Sequence, residues 1–445
     1  MSIVAELSSF ITNTDLVPAN SALAKSATRA LIDTTGVGLL GTREELWPIA
    51  SRLAPRLYSG AGNAEVWGTS SVASPSHAAW LNGLAAHALD FDDVCTPMRG
   101  HPSAVIIPTA LAVAQDTHSS GIALLDAYAV GFEIATQLGA HMGYDHYEKG
   151  WHPTFTVGVM GACAATSRLL HLNDEQVRTA LGIAASFAGG LRLNFGTMTK
   201  PLHAGEAAQS GIKAAYLATE GLSANSDIFA GRIGFHQIFD AEYRDVDTFD
   251  PPLGIPWTLL DAGIDVKKYP CCYMAHRAID ACLELTAKYD INPDRVVEVL
   301  VETEPGGQSA LIYDRPETAL QGKFSLQYML ASALIDRRVN IDTFSDAQVQ
   351  RPQLRHMFAK ISNDQNHPEH LGTLVRIILD DGTVLENTVR NPHGSPANPL
   401  SDLQIDAKFL ECASYVMPTS QAESLLAHLW SIKTEQSCRI FQGYF

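Results

Sequence analysis

Residues 78–115 read AAWLNGLAAHALDFDDVCTPMRGHPSAVIIPTALAVAQ, which is two apolar stretches separated by a polar junction. The apolar stretches are rich in Ala and Leu, a composition that favours helices buried on most of their surface. The junction, residues 87–102, holds six titratable side chains: His87, Asp90, Asp92, Asp93, Arg99 and His101. Only 18% of the chain is charged. Such a cluster between buried helices therefore predicts a functional site, with a solvated helix end as the alternative.

The helical pattern extends outward from this junction, from about residue 20 to residue 239. Helical spacing of apolar and small residues predicts helices at Ser21 to Leu40, from Pro75, and at Ser103 to Gln115, Gly121 to His141, Val157 to Leu170, Gln176 to Ala188 and Ala204 to Glu220. Asn173 is a predicted N-cap. Many of these faces are rich in Ala and Gly, which lets helix axes approach closely, so we expect a helical bundle.

The helical periodicity stops between Asp240 and Trp257, where the sequence DAEYRDVDTFDPPLGIPW is polar and rich in proline. We interpret this segment as a domain boundary. Beyond it the pattern predicts helices at His276 to Lys288 and Phe324 to Asp336, and a strand at 296–302. Residues 374–389 predict a β-hairpin that turns at Asp381-Gly382. The second region is therefore α+β. The chain is helical again from Asn398, and we expect this tail to pack on the first domain.

Length and charge exclude several classes of protein. A chain of 445 residues predicts two domains. Its net charge of −17 argues against nucleic acid and anionic membranes as partners. There is no apolar run of 18 residues, and the N-terminus lacks the features of a signal peptide, so we expect a cytoplasmic protein. The seven cysteines form no C-x-x-C pair, which predicts reduced thiols.

No motif in the sequence requires a cofactor. Residues 36–41, GVGLLG, match G-x-G-x-x-G but end a helical pattern instead of following a strand, so we assign these glycines to helix packing. Walker, G-x-S-x-G and H-E-x-x-H motifs are absent. His87, Asp90, Asp93 and His101 are metal-ligand types, but a second carboxylate cluster is missing, so we predict a site without a metal. A metal-dependent hydrolase is kept as an alternative.

Further cations and histidines stand at predicted element ends. His152 lies at a helix start in KGWHPT, and Lys200 and His203 lie in a predicted loop just before a helix, flanked by apolar residues. Lys267 and Lys268 open the second region in VKKYPCCYMAH, which ends at His276. Taken alone, each lysine could equally be a solvated surface residue, and each histidine could equally have a structural role. Together they predict a site that binds an anion in a cleft between the domains.

Six motifs in order give the chain a family resemblance: HALDFDD, GHPSA, GWHPT, GTMTKPLHAG, KKYPCC followed by AH, and KFSLQYMLA. They resemble the successive motifs of the MmgE/PrpD family, which includes 2-methylcitrate dehydratase, cis-aconitate decarboxylase and iminodisuccinate epimerase. The resemblance implies a large helical domain made from both chain ends and a smaller α+β lid domain. It also implies a site between them, no cofactor, and a homodimer. The corresponding divisions are residues 1–262, 263–396 and 397–445.

By motif, the resemblance implies site residues at Asp90, His101, His152, Lys200 and Lys267. We expect His101 and His152 to act as general acid and base, Asp90 to orient a histidine, and Tyr144 in the predicted loop HMGYDHYEKG to be a further acid. Arg99, His203, Lys268 and His276 are expected to bind substrate. His87, Asp92 and Asp93 are interpreted as packing or helix-end residues.

The chemistry common to the family is proton movement at a carbon beside a carboxylate. We therefore predict a cofactor-independent lyase acting on a small di- or tricarboxylate, of the 2-methylcitrate dehydratase or cis-aconitate decarboxylase type. An epimerase of the iminodisuccinate type would use the same groups. A protein that binds polycarboxylates without catalysis is the alternative of another class. Val94 stands where animal decarboxylases carry threonine, so the individual substrate is left open.

Overall fold

The computed structural model describes residues 2–13, 20–57, 60–239, 248–368 and 372–445. These residues form two units, of which the first contains residues 1–193, 199–265 and 401–445. The second contains residues 194–198 and 266–400. The first unit is mainly helical and the second is α+β, as the sequence patterns predict. The polar junction lies wholly within the helical unit.

The first part of the chain contributes most helices of the helical unit. They are α1 Ile3–Asn13, α2 Ser21–Gly41, α3 Leu46–Leu57, α4 Pro75–His87, α5 Pro102–Asp116, α6 Gly121–Glu148, α7 Pro153–Thr156, α8 Gly158–Leu169, α9 Asp174–Ala185, α10 Thr199–Thr219 and α11 Phe235–Phe239. A short hairpin of β1 Ala64–Glu65 and β2 Val72–Ala73 precedes α4. Asn173 caps α9 with a capping box, as predicted.

Small residues allow these helices to pack closely. A Cβ on Gly83 of α4 would lie 3.1 Å from the Cα of Gly205 of α10, so neither position has room for a larger residue. The glycines of the GVGLLG motif also serve helix packing, which confirms that prediction. A Cβ on Gly36 would lie 2.9 Å from the Phe409 side chain, and one on Gly41 would lie 1.9 Å from the backbone oxygen of Ala85.

The second unit packs helices on a four-stranded sheet. Its helices are α12 His276–Tyr289, α13 Ala319–Gly322, α14 Leu326–Asp336, α15 Asp346–Val349 and α16 Pro352–Phe358. Its strands are β3 Val296–Glu302, β4 Ile361–Asp364, β5 Thr373–Leu379 and β6 Val384–Val389, in the spatial order β4-β3-β5-β6. The predicted hairpin is present as β5–β6, and Gly382 supplies the positive φ of 81° at its turn. Apolar residues of α12, α14 and the strands form the core.

The last part of the chain returns to the helical unit with α17 Asp402–Ser414 and α18 Thr419–Ser431. Phe409 of α17 packs on Gly36 of α2. All seven cysteines are buried and free, as predicted. Among the described residues, none of the helices combines the length and the apolar character needed to cross a bilayer.

Three local predictions need correction. Lys200 and His203 lie inside α10 and not in a loop before it. Pro201 is compatible with this first turn, where its missing N–H has no partner to bond. Tyr144 also lies in a helix, because α6 resumes after a break at Gly143, whose φ is 67°. The expected boundary at residues 240–257 lies only partly within the described residues, and residues 248–265 belong to the helical unit.

Candidate active site

The polar junction forms a turn that brings the ends of α4 and α5 together. His87 is the last residue of α4 and His101 is the N-cap of α5. Between them, Asp90 has a φ of 52°, in the left-handed region that residues other than glycine rarely adopt. Aspartate tolerates this region better than most residues, but the conformation still costs free energy, and such strain concentrates at functional sites.

Asp92 connects the two junction histidines. Its Oδ2 lies 2.8 Å from Nδ1 of His87 and 3.1 Å from Nδ1 of His101. A carboxylate can only accept, so Nδ1 of His87 carries a proton and the neutral His87 ring keeps its lone pair on Nε2. The two rings meet edge to face, with centroids 4.4 Å apart. Asp92 therefore sets the tautomer of His87 and lies within ion-pair distance of His101.

Lys200 enters the cluster from the first turn of α10. Its Nζ donates to Oδ1 of Asp90 at 2.7 Å and lies 2.9 Å from Nε2 of His87. Nε2 of His101 lies 3.7 Å from the same Asp90 oxygen. The Lys200 and Asp90 side chains are each only 5% exposed. The structure thus holds an ammonium group, two carboxylates and two imidazoles in one buried network.

His152 and His203 form a second imidazole pair beside this network. Their Nδ1 atoms are 2.9 Å apart, so one ring donates through Nδ1 while the other accepts. The His152 ring stacks on that of His87 with centroids 5.6 Å apart. His152 is the N-cap of α7, at a helix start as predicted.

Burial and Lys200 keep most of these imidazoles neutral. Burial, opposed in part by Asp92, lowers the pKa of His87 to about 3. Burial and then Lys200 lower the pKa of His203 to about 4, and they hold the pKa of His152 well below its usual range. Burial alone would raise the pKa of Asp92, but His87 and His101 outweigh it, so that pKa lies well below its usual value.

Asp93 lies beside the network but bonds elsewhere. Its carboxyl group accepts from the backbone N–H of Ser103 at 3.2 Å and forms a short hydrogen bond with the Ser103 hydroxyl. That hydroxyl also lies 2.8 Å from the hydroxyl of Tyr128. Burial raises the pKa of Asp93 to about 8, so the group is largely protonated at neutral pH. Asp93 therefore fixes the start of α5, as the helix-end interpretation predicts.

The other predicted site residues are Arg99, Tyr144, Lys267, Lys268 and His276. In the helical unit, the half-buried Arg99 places its guanidinium over the Tyr144 ring, 5.0 Å from the centroid. In the α+β unit, Lys267 is fully buried. Nζ of Lys268 lies 3.6 Å from Asp280. The His276 ring packs on Tyr269 and Tyr273, with Nε2 3.4 Å from the backbone oxygen of Cys271.

Two groups of side chains have atoms close enough to hold a metal ion. Within the described ranges they are His87, His101 and His152, and His87, Asp90, Asp92 and His101, whose ligand atoms lie within 4.8 Å of one another. The Lys200 ammonium already bonds Asp90 and His87. A metal ion at those atoms would lie against a cation, so the second set does not fit a metal unless Lys200 is displaced.

Sequence reasoning missed His87 and Asp92, which the structure places at the centre of the network. His87 and Asp92 are five residues apart, a spacing that does not place two side chains on one helical face. They come into contact because the chain turns at Asp90. One usable signal was present. Asp90 lies three residues after the end of an apolar helix, and aspartate is enriched at residues with a left-handed backbone.

Comparison with known proteins gives the family. The MmgE/PrpD N-terminal domain matches residues 5–245 and the MmgE/PrpD C-terminal domain matches residues 269–432. Cis-aconitate decarboxylase of Mus musculus is 32% identical over 432 residues, covering 93% of this chain and 87% of that protein. The Homo sapiens cis-aconitate decarboxylase is 30% identical over 429 residues, 93% and 88% of the two chains. The mitochondrial 2-methylcitrate dehydratase of Yarrowia lipolytica is 23% identical over 408 residues, which cover 82% of this chain and 75% of that protein. The chain therefore belongs to the MmgE/PrpD family, which confirms the resemblance of its motifs.

Proposed function

We propose that this protein is a lyase that removes carbon dioxide or water from a small di- or tricarboxylate by moving a proton at a carbon beside a carboxylate. The observation that carries this proposal is the buried network in which the Asp92 carboxylate lies 2.8 and 3.1 Å from two imidazoles and Lys200 holds an ammonium group next to them. Decarboxylation of a cis-aconitate-like acid is the first candidate, since two decarboxylases are 30% and 32% identical to this chain. Dehydration of a citrate-like acid is second.

His101 is the proposed general acid and base. Its Nδ1 lies 3.1 Å from the Asp92 carboxylate, which leaves Nε2 as the atom proposed to exchange a proton. The His101 side chain is 11% exposed while those of His87 and Asp92 are 0% exposed, so His101 is the imidazole of the pair that a substrate reaches. His87, held neutral, orients Lys200 instead of donating a proton.

Lys200 is the proposed electrostatic group. When the bond to the departing carboxylate breaks, its electron pair moves into a double bond conjugated with a remaining carboxylate, and negative charge accumulates on oxygen. A fixed ammonium group in a site of low water content stabilises that charge. His101, protonated at Nε2 from solvent before this step, then delivers that proton to carbon and is left neutral. In dehydration the order reverses: a base removes the proton beside the carboxylate, and an acid protonates the departing hydroxyl group.

His152 and His203 are the proposed neutral partners of the substrate. Because their pKa values are lowered, they act as hydrogen-bond donors and acceptors at neutral pH and not as cations. The substrate's charge must be met by other groups. Arg99, Lys267 and Lys268 remain the predicted cationic contacts, His276 remains a predicted polar contact, and Tyr144 remains a predicted acid. A homodimer in the cytoplasm also remains a prediction.

Proton NMR in deuterated water tests the proposal. The purified protein is incubated with cis-aconitate, 2-methylcitrate and citrate in turn, and His101→Ala serves as the matched inactive control. Loss of carbon dioxide with uptake of deuterium on carbon, or loss of water, supports the lyase. Deuterium exchange beside a carboxylate with racemisation and no loss would identify an epimerase. Binding of these acids without any reaction would refute the proposal that the protein is an enzyme acting on them. Activity that a chelator abolishes and a divalent metal restores would refute the metal-free mechanism.

A further inference from the structure

A buried ion pair lies behind the turn that carries the site aspartates. Lys408 of α17 places its Nζ 2.7 Å from Oδ1 of Asp33 on α2. The two side chains are 7% and 1% exposed. The same Nζ donates to the backbone oxygen of Phe91 at 2.9 Å and lies 4.0 Å from the centroid of the Phe91 ring. One ammonium group therefore joins three parts of the chain.

Phe91 is the residue between Asp90 and Asp92. Asp90 has a strained left-handed backbone, and such a conformation persists only where surrounding contacts hold it. The contacts of Lys408 fix both the carbonyl and the ring of Phe91. The flanking carboxylates face Lys200 on one side and the two junction imidazoles on the other. Rotation of the Phe91 peptide would move both carboxylates.

The charge of Lys408 also matters at this position. Burial raises the pKa of Asp33, Lys408 lowers it, and the negative charge of Asp92 raises it. Asp33 and Asp92 therefore repel each other, and Lys408 is the cation that opposes this repulsion. The close approach of α17 depends on Gly36 of α2, whose missing side chain leaves room for Phe409, the neighbour of Lys408.

We propose that Lys408, paired with Asp33, is a positioning residue for the active site: it holds the Phe91 peptide so that Asp90 and Asp92 meet Lys200 and His101. The expected fall in kcat rests on the proposed function. The expected change in the backbone around Phe91 does not. The pair is distant in sequence from the junction, since Lys408 lies 317 positions from Phe91. Neither residue touches the proposed reacting groups, so neither is itself catalytic.

The test separates positioning from simple loss of stability. Lys408→Met leaves a buried carboxylate without its partner and should destabilise the fold. The double variant Asp33→Asn, Lys408→Met removes both charges, so its thermal stability should recover, while the hydrogen bond to Phe91 stays lost. We expect its kcat on the acid turned over by the wild type to be about 10- to 100-fold lower, since small misplacements of reacting groups have effects of this size. We expect KM to change by less than about threefold. Asp33→Asn alone keeps the Phe91 contact and should keep most of kcat.

Arg168→Met is the matched control. Arg168 forms a similar pair with Asp126 in the same unit and donates to the backbone of α1, away from the network. Its variant should lose stability without a selective fall in kcat. Hydrogen exchange of the peptide covering residues 88–95 gives a readout independent of activity: it should quicken in the double variant and stay unchanged in Arg168→Met. The positioning role would be overturned if the double variant kept the wild-type kcat and the wild-type hydrogen exchange of residues 88–95. It would also be overturned if Arg168→Met changed both quantities as much as the double variant does. If the wild type turns over none of the acids, the proposed function fails, and the exchange result still decides this inference.

Discussion

Asp92→Asn is the substitution that tests the proposed network most directly. Oδ2 of Asp92 accepts from Nδ1 of His87 and lies 3.1 Å from Nδ1 of His101. An asparagine can place its amide oxygen at the same position, but this oxygen carries no negative charge. The charge that stabilises a protonated His101 is therefore lost. We therefore expect a fall in kcat with little change in overall fold.

The distance between Asp92 and His101 sets the size of the effect. Two unit charges separated by 3.1 Å attract each other by roughly 5 kcal/mol at an effective dielectric constant of about 20. The Asp92→Asn variant would keep part of this as a contact between the charge and the amide dipole, so the loss is about 3 kcal/mol. Each 1.4 kcal/mol or so of barrier is about tenfold in rate, which predicts a decrease in kcat of about 100-fold or more.

Steady-state kinetics on the acid identified by NMR measure this decrease, with thermal unfolding as a check on the fold. Asp93→Asn is the matched control. Asp93 is the next residue and equally buried, but it contacts Ser103 and carries a proton at neutral pH, so asparagine is nearly isosteric with it. Its kcat should stay within about threefold of the wild type, because no imidazole contact is lost. A folded Asp92→Asn variant with kcat within about tenfold of the wild type would refute the proposed role of Asp92.

Three further predictions follow from the same contacts. Lys200→Ala should lower kcat by about 100- to 1000-fold, the usual scale for one electrostatic donor. Lys213 is exposed on the same helix, so Lys213→Ala should leave kcat near normal. Equal kinetics in both variants would contradict the role of Lys200. Asp93 should make stability fall with rising pH, since the unfolded carboxyl ionises near pH 4 and the folded one at about 8. Relative to Asp93→Asn, the wild type should therefore lose about 2 kcal/mol of unfolding free energy between about pH 6 and pH 8 in chemical denaturation, and a constant difference would argue that the carboxyl is already ionised. Lys267→Ala should raise KM at least about tenfold with a smaller change in kcat, and an unchanged KM would exclude carboxylate binding by Lys267.

Local sequence patterns determined most of the secondary structure. Helical spacing located α2, α5 and α9 to within two or three residues, strand alternation located β3, and Asp381-Gly382 located the β5–β6 turn. These patterns succeed because they record which face of an element is buried, and burial is a local property of periodicity. The order of the motifs also identified the family. The prediction ended α6 at His141, before the break at Gly143 after which the helix resumes, and it began α10 at Ala204, although the first turn of that helix accommodates Pro201.

The network itself was decided by tertiary structure. Asp90, His101, His152 and Lys200 are candidates that their motifs supply, but no motif says which of them touch. Lys200 lies 113 residues from His87, and Lys408 lies 317 residues from Phe91. His87 and Asp92 were interpreted as packing residues, because a helix end and a site look alike in composition. They meet only because Asp90 turns the backbone into the left-handed region and α10 and α17 pack against that turn. A side-chain hydrogen bond needs a separation near about 3 Å or less, and only the path of the whole chain sets such distances.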